Sequence, residues 1–358
     1  MKRATLFPMQ YENRELLIYP QLVRGYKICS AVTVTEYNDS LEIISERDQN
    51  IFITANFKDA ISDCDAVIFL RGLESKQPAL YIEKLQETVD RSKDIVIDSC
   101  LYNTFKEILE DYPQMHIIDL SRVNEKEAIA DYQVNEDRKL RYLNIPIISV
   151  MGMGDYCNKF SCELALRDYF CGKGYNVLQI GSKMTSEIFG FYNIPEFLYS
   201  KEFTLEDKII LFNYYITFLV KKQKPDLIII GIPGGILPAN SKILNSFGEL
   251  PFIMTNALKI DVGILSIYGN TLSEELISEY KKCCKYRFNT NIMHTLVSNT
   301  YFEFDTDREN RYLKYYHLNE TKDIPQELHD KESIFSIGNT KNVFDSIYEA
   351  LSETLEIL

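Results

Sequence analysis

The sequence has no tryptophan, no Cys-x-x-Cys pair, no paired-histidine spacing and no long apolar run. Each absence removes a class of protein. Eight cysteines (29, 64, 100, 157, 162, 171, 283 and 284) without a CxxC, and four scattered histidines (116, 294, 317 and 329) without HxxxH or HExxH, offer no framework for a dedicated zinc site. In a chain of 358 residues these cysteines read as free thiols rather than a disulfide scaffold. The most apolar stretches, 209–220 and 227–238, fall short of the ~20 residues that span a bilayer. The start, MKRATLFPMQYENRELL, is not read as a signal peptide, because no apolar stretch of roughly 7–15 residues follows its basic residues. A cytoplasmic protein without membrane attachment is expected. Positive charge is also scarce, with 39 Lys and Arg against 52 Asp and Glu, a net charge of −13. Phosphate backbones select for basic excess, so general nucleic-acid binding is not expected. One local positive site would still suffice for a small anion, and a basic peptide or protein partner remains compatible.

What the sequence does contain is alternation. Short apolar, β-branched runs occur at 15–20, 27–34, 64–70, 93–99, 115–120, 145–152, 175–181, 225–231 and 262–269. Helical patterns separate them at 78–90, 101–111, 158–172, 204–223, 240–248 and 272–286. Continuous apolar runs suit strands covered on both faces, and their alternation with helices predicts parallel sheets in an α/β fold. The series breaks in the charged stretch 123–144. We therefore expect a doubly wound domain over 1–122 with five strands, a helical or irregular linker over 123–144, and a second doubly wound domain over 145–358. The segment 294–319 carries strong β-formers around the polar turn 305–310 and predicts a hairpin. Val343, Ile347, Leu351 and Leu355 repeat every four residues in a terminal amphipathic helix that Asn339 or Thr340 can cap.

One segment carries chemistry. GMGDYCNKFS (152–161) follows the apolar run IPIISVM and precedes a helical pattern ending at Gly172 and Gly174. A phosphate-binding loop needs this order, because glycines let backbone N–H groups curl around phosphate oxygens and the helix N-terminus adds about half a positive charge. A lysine then bridges the outer phosphates. Gly152, Gly154, Asp155, Asn158, Lys159 and Ser161 are the candidate phosphate-binding residues of this loop, joined by Gly234 and Gly235 after the run PDLIIIG. Two departures bear on catalysis. Phe160 stands where a Ser or Thr would hold Mg²⁺, with the hydroxyl one residue later at Ser161, and Gly231 stands where an acidic residue would end the later strand. Asn158 replaces the usual glycine before the lysine, the substitution that costs a left-handed backbone least. Asp155 and Glu187 are the nearest candidates for a substitute metal ligand, although an ordinary loop role explains both. No catalytic residue can be assigned.

The order GMGDYCNKFS, GYNVLQIGSKMTSEIFG and PDLIIIGIPGGILPANSKIL resembles the P-loop half of the DUF1611 family, in which a Rossmann-like domain precedes a P-loop domain related to dethiobiotin synthetase. Over its length the chain also resembles a clostridial family of peptide maturation system proteins that accompany ribosomally made natural-product peptides. The motifs cover about residues 145–270, and the rest matches by layout. The resemblance implies a Rossmann-like domain followed by a degenerate P-loop NTPase-like domain with an appended hairpin and terminal helix. It further implies ATP or GTP as ligand, an altered role for Mg²⁺, and a precursor peptide or maturation enzyme as partner.

The first domain has no GxGxxG after the run at 15–20, so a nicotinamide cofactor is not expected. Asp98, Ser99, Cys100 and Asp119 fall at strand ends; capping of the helix at 101–111 explains Asp98 and Ser99. Arg71-Gly72 could meet an anion or the second domain. Cys100 has no histidine nearby in sequence to serve as a base. Three functions stay open: a nucleotide- or phosphate-binding accessory protein in peptide maturation, an ATP- or GTP-dependent ligase or kinase-like enzyme, and a non-catalytic scaffold for a peptide or partner enzyme. A deaminase or hydrolase on the first domain has no motif behind it. The terminal helix and the Tyr-rich hairpin are compatible either with capping the second domain or with forming a homodimer surface.

Overall fold

The structure, a computed structural model, describes residues 1–34, 51–110, 112–134, 137–304, 313–318 and 333–355. It divides into two compact units, one of Met1–Leu120 with Thr185–Gly190, the other of Ser121–Met184 with Phe191–Leu358. Each is built on a six-stranded, fully parallel sheet.

The first sheet has strands β1 (Lys2–Met9), β2 (Tyr26–Thr33), β3 (Phe52–Thr54), β4 (Ala66–Phe69), β5 (Asp94–Asp98) and β6 (Met115–Ile118) in the order β3-β2-β1-β4-β5-β6. This is the order of a Rossmann-like sheet. Helices α1 (Glu15–Ile18), α2 (Phe57–Ala60), α3 (Pro78–Asp90), α4 (Ser99–Thr104) and α5 (Lys106–Leu109) join its strands. One core runs from Phe7 and Val67 on the sheet to Tyr81, Leu85 and Leu101 on the helices. The expectation of five strands beginning at 15–20 is corrected twice. Residues 15–18 form one helical turn, because the short apolar run Leu16-Leu17-Ile18 has no periodicity to separate helix from strand and Tyr19-Pro20 stops it at once. The true first strand is Lys2–Met9. Its Pro8 falls where the pairing with β2 shifts register between Leu6 and Met9, where a missing N–H is tolerated.

The stretch expected as a linker holds α6 (Leu120–Val134), and from Ser121 onward it groups with the second unit. The second sheet has β7 (Ile147–Gly152), β8 (Val177–Ile180), β9 (Leu227–Gly231), β10 (Val262–Ile267), β11 (Ile292–Val297) and β14 (Ile334–Ser336) in the order β14-β11-β10-β7-β9-β8. Between β11 and β14 lies an antiparallel hairpin, β12 (Thr300–Phe304) and β13 (Leu313–His317); the expected polar turn at 305–310 is outside the described residues. The helices are α7 (Lys159–Gly172), α8 (Leu205–Gln223), α9 (Glu249–Ala257), α10 (Glu274–Arg287) and α11 (Lys341–Leu355). Ile148, Val150, Cys162, Leu166 and Phe170 share one core with Phe344, Ile347 and Leu351 of α11. The helix expected over 240–248 is absent. Asn245, Ser246, Phe247 and Gly248 all take positive φ, which no α-helix accommodates, and the helix starts only at Glu249.

Candidate functional site

Strand β7 lies between β9 and β10, and the chain passes first to one side of it (β8, β9) and then to the other (β10, β11). The crevice outside the carboxyl ends of β7 and β10 is therefore the point where the strand order reverses, which is where open α/β sheets bind ligands. The 152–161 loop occupies it. All six residues of β7 are buried, so the loop hangs from a strand that packing fixes on both faces.

The loop is held at both ends. Asn158 takes a left-handed conformation, φ 61° and ψ 19°, as its place before the lysine requires, and its amide donates to Asn299 Oδ1 at 2.7 Å. Gly152 sits so close to Cys157 Sγ and the Lys159 side chain that a Cβ there would lie 2.6 Å and 3.1 Å from them. Lys159, the first residue of α7, is buried, and its Nζ donates to the carbonyls of Gly154 and, at 2.7 Å, of Gly234. The lysine thus ties the loop after β7 to the turn after β9, bringing Gly152, Gly154, Asn158, Lys159 and Gly234 together. Gly235 is packed against Met153 O and the Asn245 amide, and that amide donates to Leu237 O at 2.7 Å and Met153 O at 3.3 Å. The N–H groups of Gly154, Asp155 and Lys159 have no acceptor among the described residues. These unpaired donors, the N-terminus of α7 and the Lys159 ammonium make one concentrated positive region in an acidic chain.

The hairpin covers the loop's outer side. Thr300 Oγ1 donates to Tyr156 O at 2.7 Å, and the Tyr268 hydroxyl donates to Asp155 O at 2.7 Å. Tyr156 packs on Tyr315 at 4.8 Å between ring centroids, and Tyr268 on Phe302 at 4.8 Å. Burial pushes the Tyr268 hydroxyl well above the usual range, keeping it a neutral donor.

The metal-binding half of the expectation reads differently. Phe160 is buried against Phe191, with Lys183 Nζ over its ring, so no hydroxyl follows the lysine directly. Ser161 is buried in the first turn of α7. Asp155 is exposed. Glu187 belongs to the segment Thr185–Gly190, which groups with the first unit. Among the described residues no three His, Cys, Asp or Glu side chains gather as a metal cage. One acid that the sequence reading passed over does lie in this unit's core: Glu163, fully buried on α7, whose Oε2 accepts from Ser182 N–H at 3.0 Å and whose Oε1 accepts from Ser182 Oγ at 2.5 Å. Burial pushes its carboxyl up to about 7, against the pull of those hydrogen bonds and of the Lys159 and Lys183 ammonium groups. The available signal was the four-residue spacing from Lys159, which sets the two on one helix face.

In the first unit, Asp98 caps α4 by accepting from Cys100 N–H and Leu101 N–H at 2.8 Å and 2.9 Å. Arg71 is bound in two-pronged fashion to Asp98, at 2.7 Å and 3.0 Å. The true first strand is followed by Gln10-Tyr11-Glu12-Asn13, without glycine.

No protein-family model matches the sequence, and no curated protein matches it. Among solved structures, a DUF1611 family protein from Anabaena variabilis is similar with a TM-score of 0.54 and 12% identity, over 83% of this chain and 88% of that one. This likeness is one of fold, and it agrees with a Rossmann-like unit followed by a P-loop-like unit. A nucleotide-binding protein from Archaeoglobus fulgidus in complex with ADP has a TM-score of 0.31 and 12% identity, over 61% of this chain and 85% of that one. The LAO/AO transport system kinase has a TM-score of 0.32 and 11% identity, over 80% of each chain. Neither of these two weaker likenesses bears on function.

Proposed function

We propose that the second unit binds a phosphate-bearing ligand, most simply ATP or GTP, at the 152–161 loop, and that the protein acts as an accessory factor in the maturation of a ribosomally synthesised peptide. The observation that carries the ligand assignment is Lys159. A buried ammonium is costly unless its donors are satisfied. Here two backbone carbonyls, Gly154 O and Gly234 O, hold it at the mouth of the strand-order reversal, beside main-chain donors that have no partner. A phosphate would take over from those carbonyls. The setting in peptide maturation, with a precursor peptide or maturation enzyme as partner, rests on the sequence resemblance alone.

Binding without efficient hydrolysis is the reading the geometry favours over an ATP- or GTP-dependent ligase or kinase-like enzyme. Phe160 removes the hydroxyl that would ligate Mg²⁺ directly, and Gly231 removes the acid from the end of β9. Phosphoryl transfer relies on direct metal ligation beside the lysine for positioning and charge neutralisation, and Phe160 takes that ligand away.

The test is calorimetric titration of wild type and Lys159→Ala with ATP and GTP. Wild type should bind at least one of them, and Lys159→Ala should weaken binding by about tenfold or more, the loss of a charge-assisted phosphate contact. No binding by wild type at millimolar nucleotide would leave the scaffold reading in possession.

A further inference from the structure

The run Leu227-Ile-Ile-Ile-Gly231 has the form of a strand that ends in a metal-associated acid, with glycine in the acid's place. That place is filled from elsewhere. A Cβ built on Gly231 would lie 2.1 Å from Glu163 Cδ and 2.2 Å from each of its carboxyl oxygens, closer than any real contact. Glu163 and Gly231 therefore compete for one volume, and only a glycine at 231 lets the Glu163 carboxylate reach the end of β9. Glu163 projects from α7 one turn beyond Lys159, and Ser182, just past the end of β8, grips both its oxygens. The ends of β8 and β9 thus meet at one carboxyl group, carried by the helix that follows the β7 loop. Lys159 and Lys183 are the ammonium groups that act on it.

A purely structural role, fastening Ser182 to α7, would be served by a glutamine of the same shape, without the cost of burying an ionisable group. Mg²⁺ bound with a nucleotide keeps several waters and needs only one or two carboxylates in addition to the phosphates. The missing three-residue cage is thus no obstacle, and one relocated acid meets the requirement.

We propose that Glu163 supplies from α7 the carboxylate that β9 lacks, and that it holds the water shell of the divalent cation accompanying phosphates bound at the 152–161 loop. This rests on the reading of the loop as a nucleoside-phosphate site. Wild type and Glu163→Gln would be titrated with a non-hydrolysable ATP analogue, in Mg²⁺ and in EDTA. Wild type should gain about tenfold or more in affinity from Mg²⁺. Glu163→Gln should bind equally well in Mg²⁺ and in EDTA, with no Mg²⁺ gain, whatever its affinity in EDTA. The double variant Glu163→Ala/Gly231→Asp, which returns the acid to β9, should regain it. A Mg²⁺ gain retained by Glu163→Gln, no Mg²⁺ gain in wild type, or a folded double variant without the gain each overturns the proposal. Failure of wild type to bind the analogue in either buffer is a different result: it removes the phosphate-site reading itself, and the proposal with it.

Discussion

Asn158, Lys159, Phe160 and Glu163 decide what the loop can do, and each acts through a different physical term. Asn158 accepts a left-handed backbone that most side chains resist, so the turn keeps its shape without glycine. Lys159 brings the charge. Phe160 trades a metal-binding hydroxyl for packing on Phe191. Glu163 is the buried acid whose carboxyl burial lifts to about 7 from its ordinary value near 4.5. The unfolded chain loses that proton near its ordinary value, while the folded protein holds it to about 7. The ionised form therefore charges the folded state a penalty that grows as pH rises from about 4.5 to about 7 and stays constant above. Glu163→Gln has no such penalty. Relative to wild type, the variant should gain on the order of 3 kcal/mol across that interval. Denaturant melts of both proteins at pH 4.5, 5.5, 6.5 and 7.5, with no nucleotide present, would show the difference widening. A difference independent of pH would mean that the carboxyl ionises as freely in the folded protein as in the unfolded one.

At the level of elements, the best-defined helix boundary lies on α8. The Thr204 hydroxyl accepts from Asp207 N–H at 3.1 Å while an Asp207 oxygen accepts from Thr204 N–H at 3.1 Å, a reciprocal cap. Thr204→Ala should cost about 1 kcal/mol in a chemical denaturation midpoint, with nucleotide affinity unchanged. Elements of this kind could be read from the sequence, because long apolar periodicity and capping residues are local properties. β7 to β10, α7 and α8 all lie where their runs predict. The failures have physical causes too. The run at 15–18 is too short to show a period. Four successive positive-φ residues at 245–248 override a sequence compatible with a helix. Of the candidate site, the glycine-lysine turn at 152–161 was legible as a strand-to-helix turn because its order is local. The pairing of Glu163 with Gly231 was not, since the two meet only when α7 packs across the end of β9, 68 residues away.

The whole molecule combines two parallel six-stranded sheets, and the first has Rossmann-like strand order without the glycine turn that a dinucleotide needs. Among the described residues no helix is long and apolar enough to cross a membrane. Against a net charge of −13, the positive end of α7 with Lys159 is a local exception, and an anion should find it. The most direct test follows the loop's own amides. In ¹H–¹⁵N spectra of the full chain titrated with ATP or GTP, the resonances of Gly154, Asp155 and Lys159 should shift and saturate together, and the Asp98–Cys100 region of the first unit should stay still. Saturating binding that leaves those three amides unmoved, or no change at millimolar nucleotide, would contradict a phosphate site at this loop.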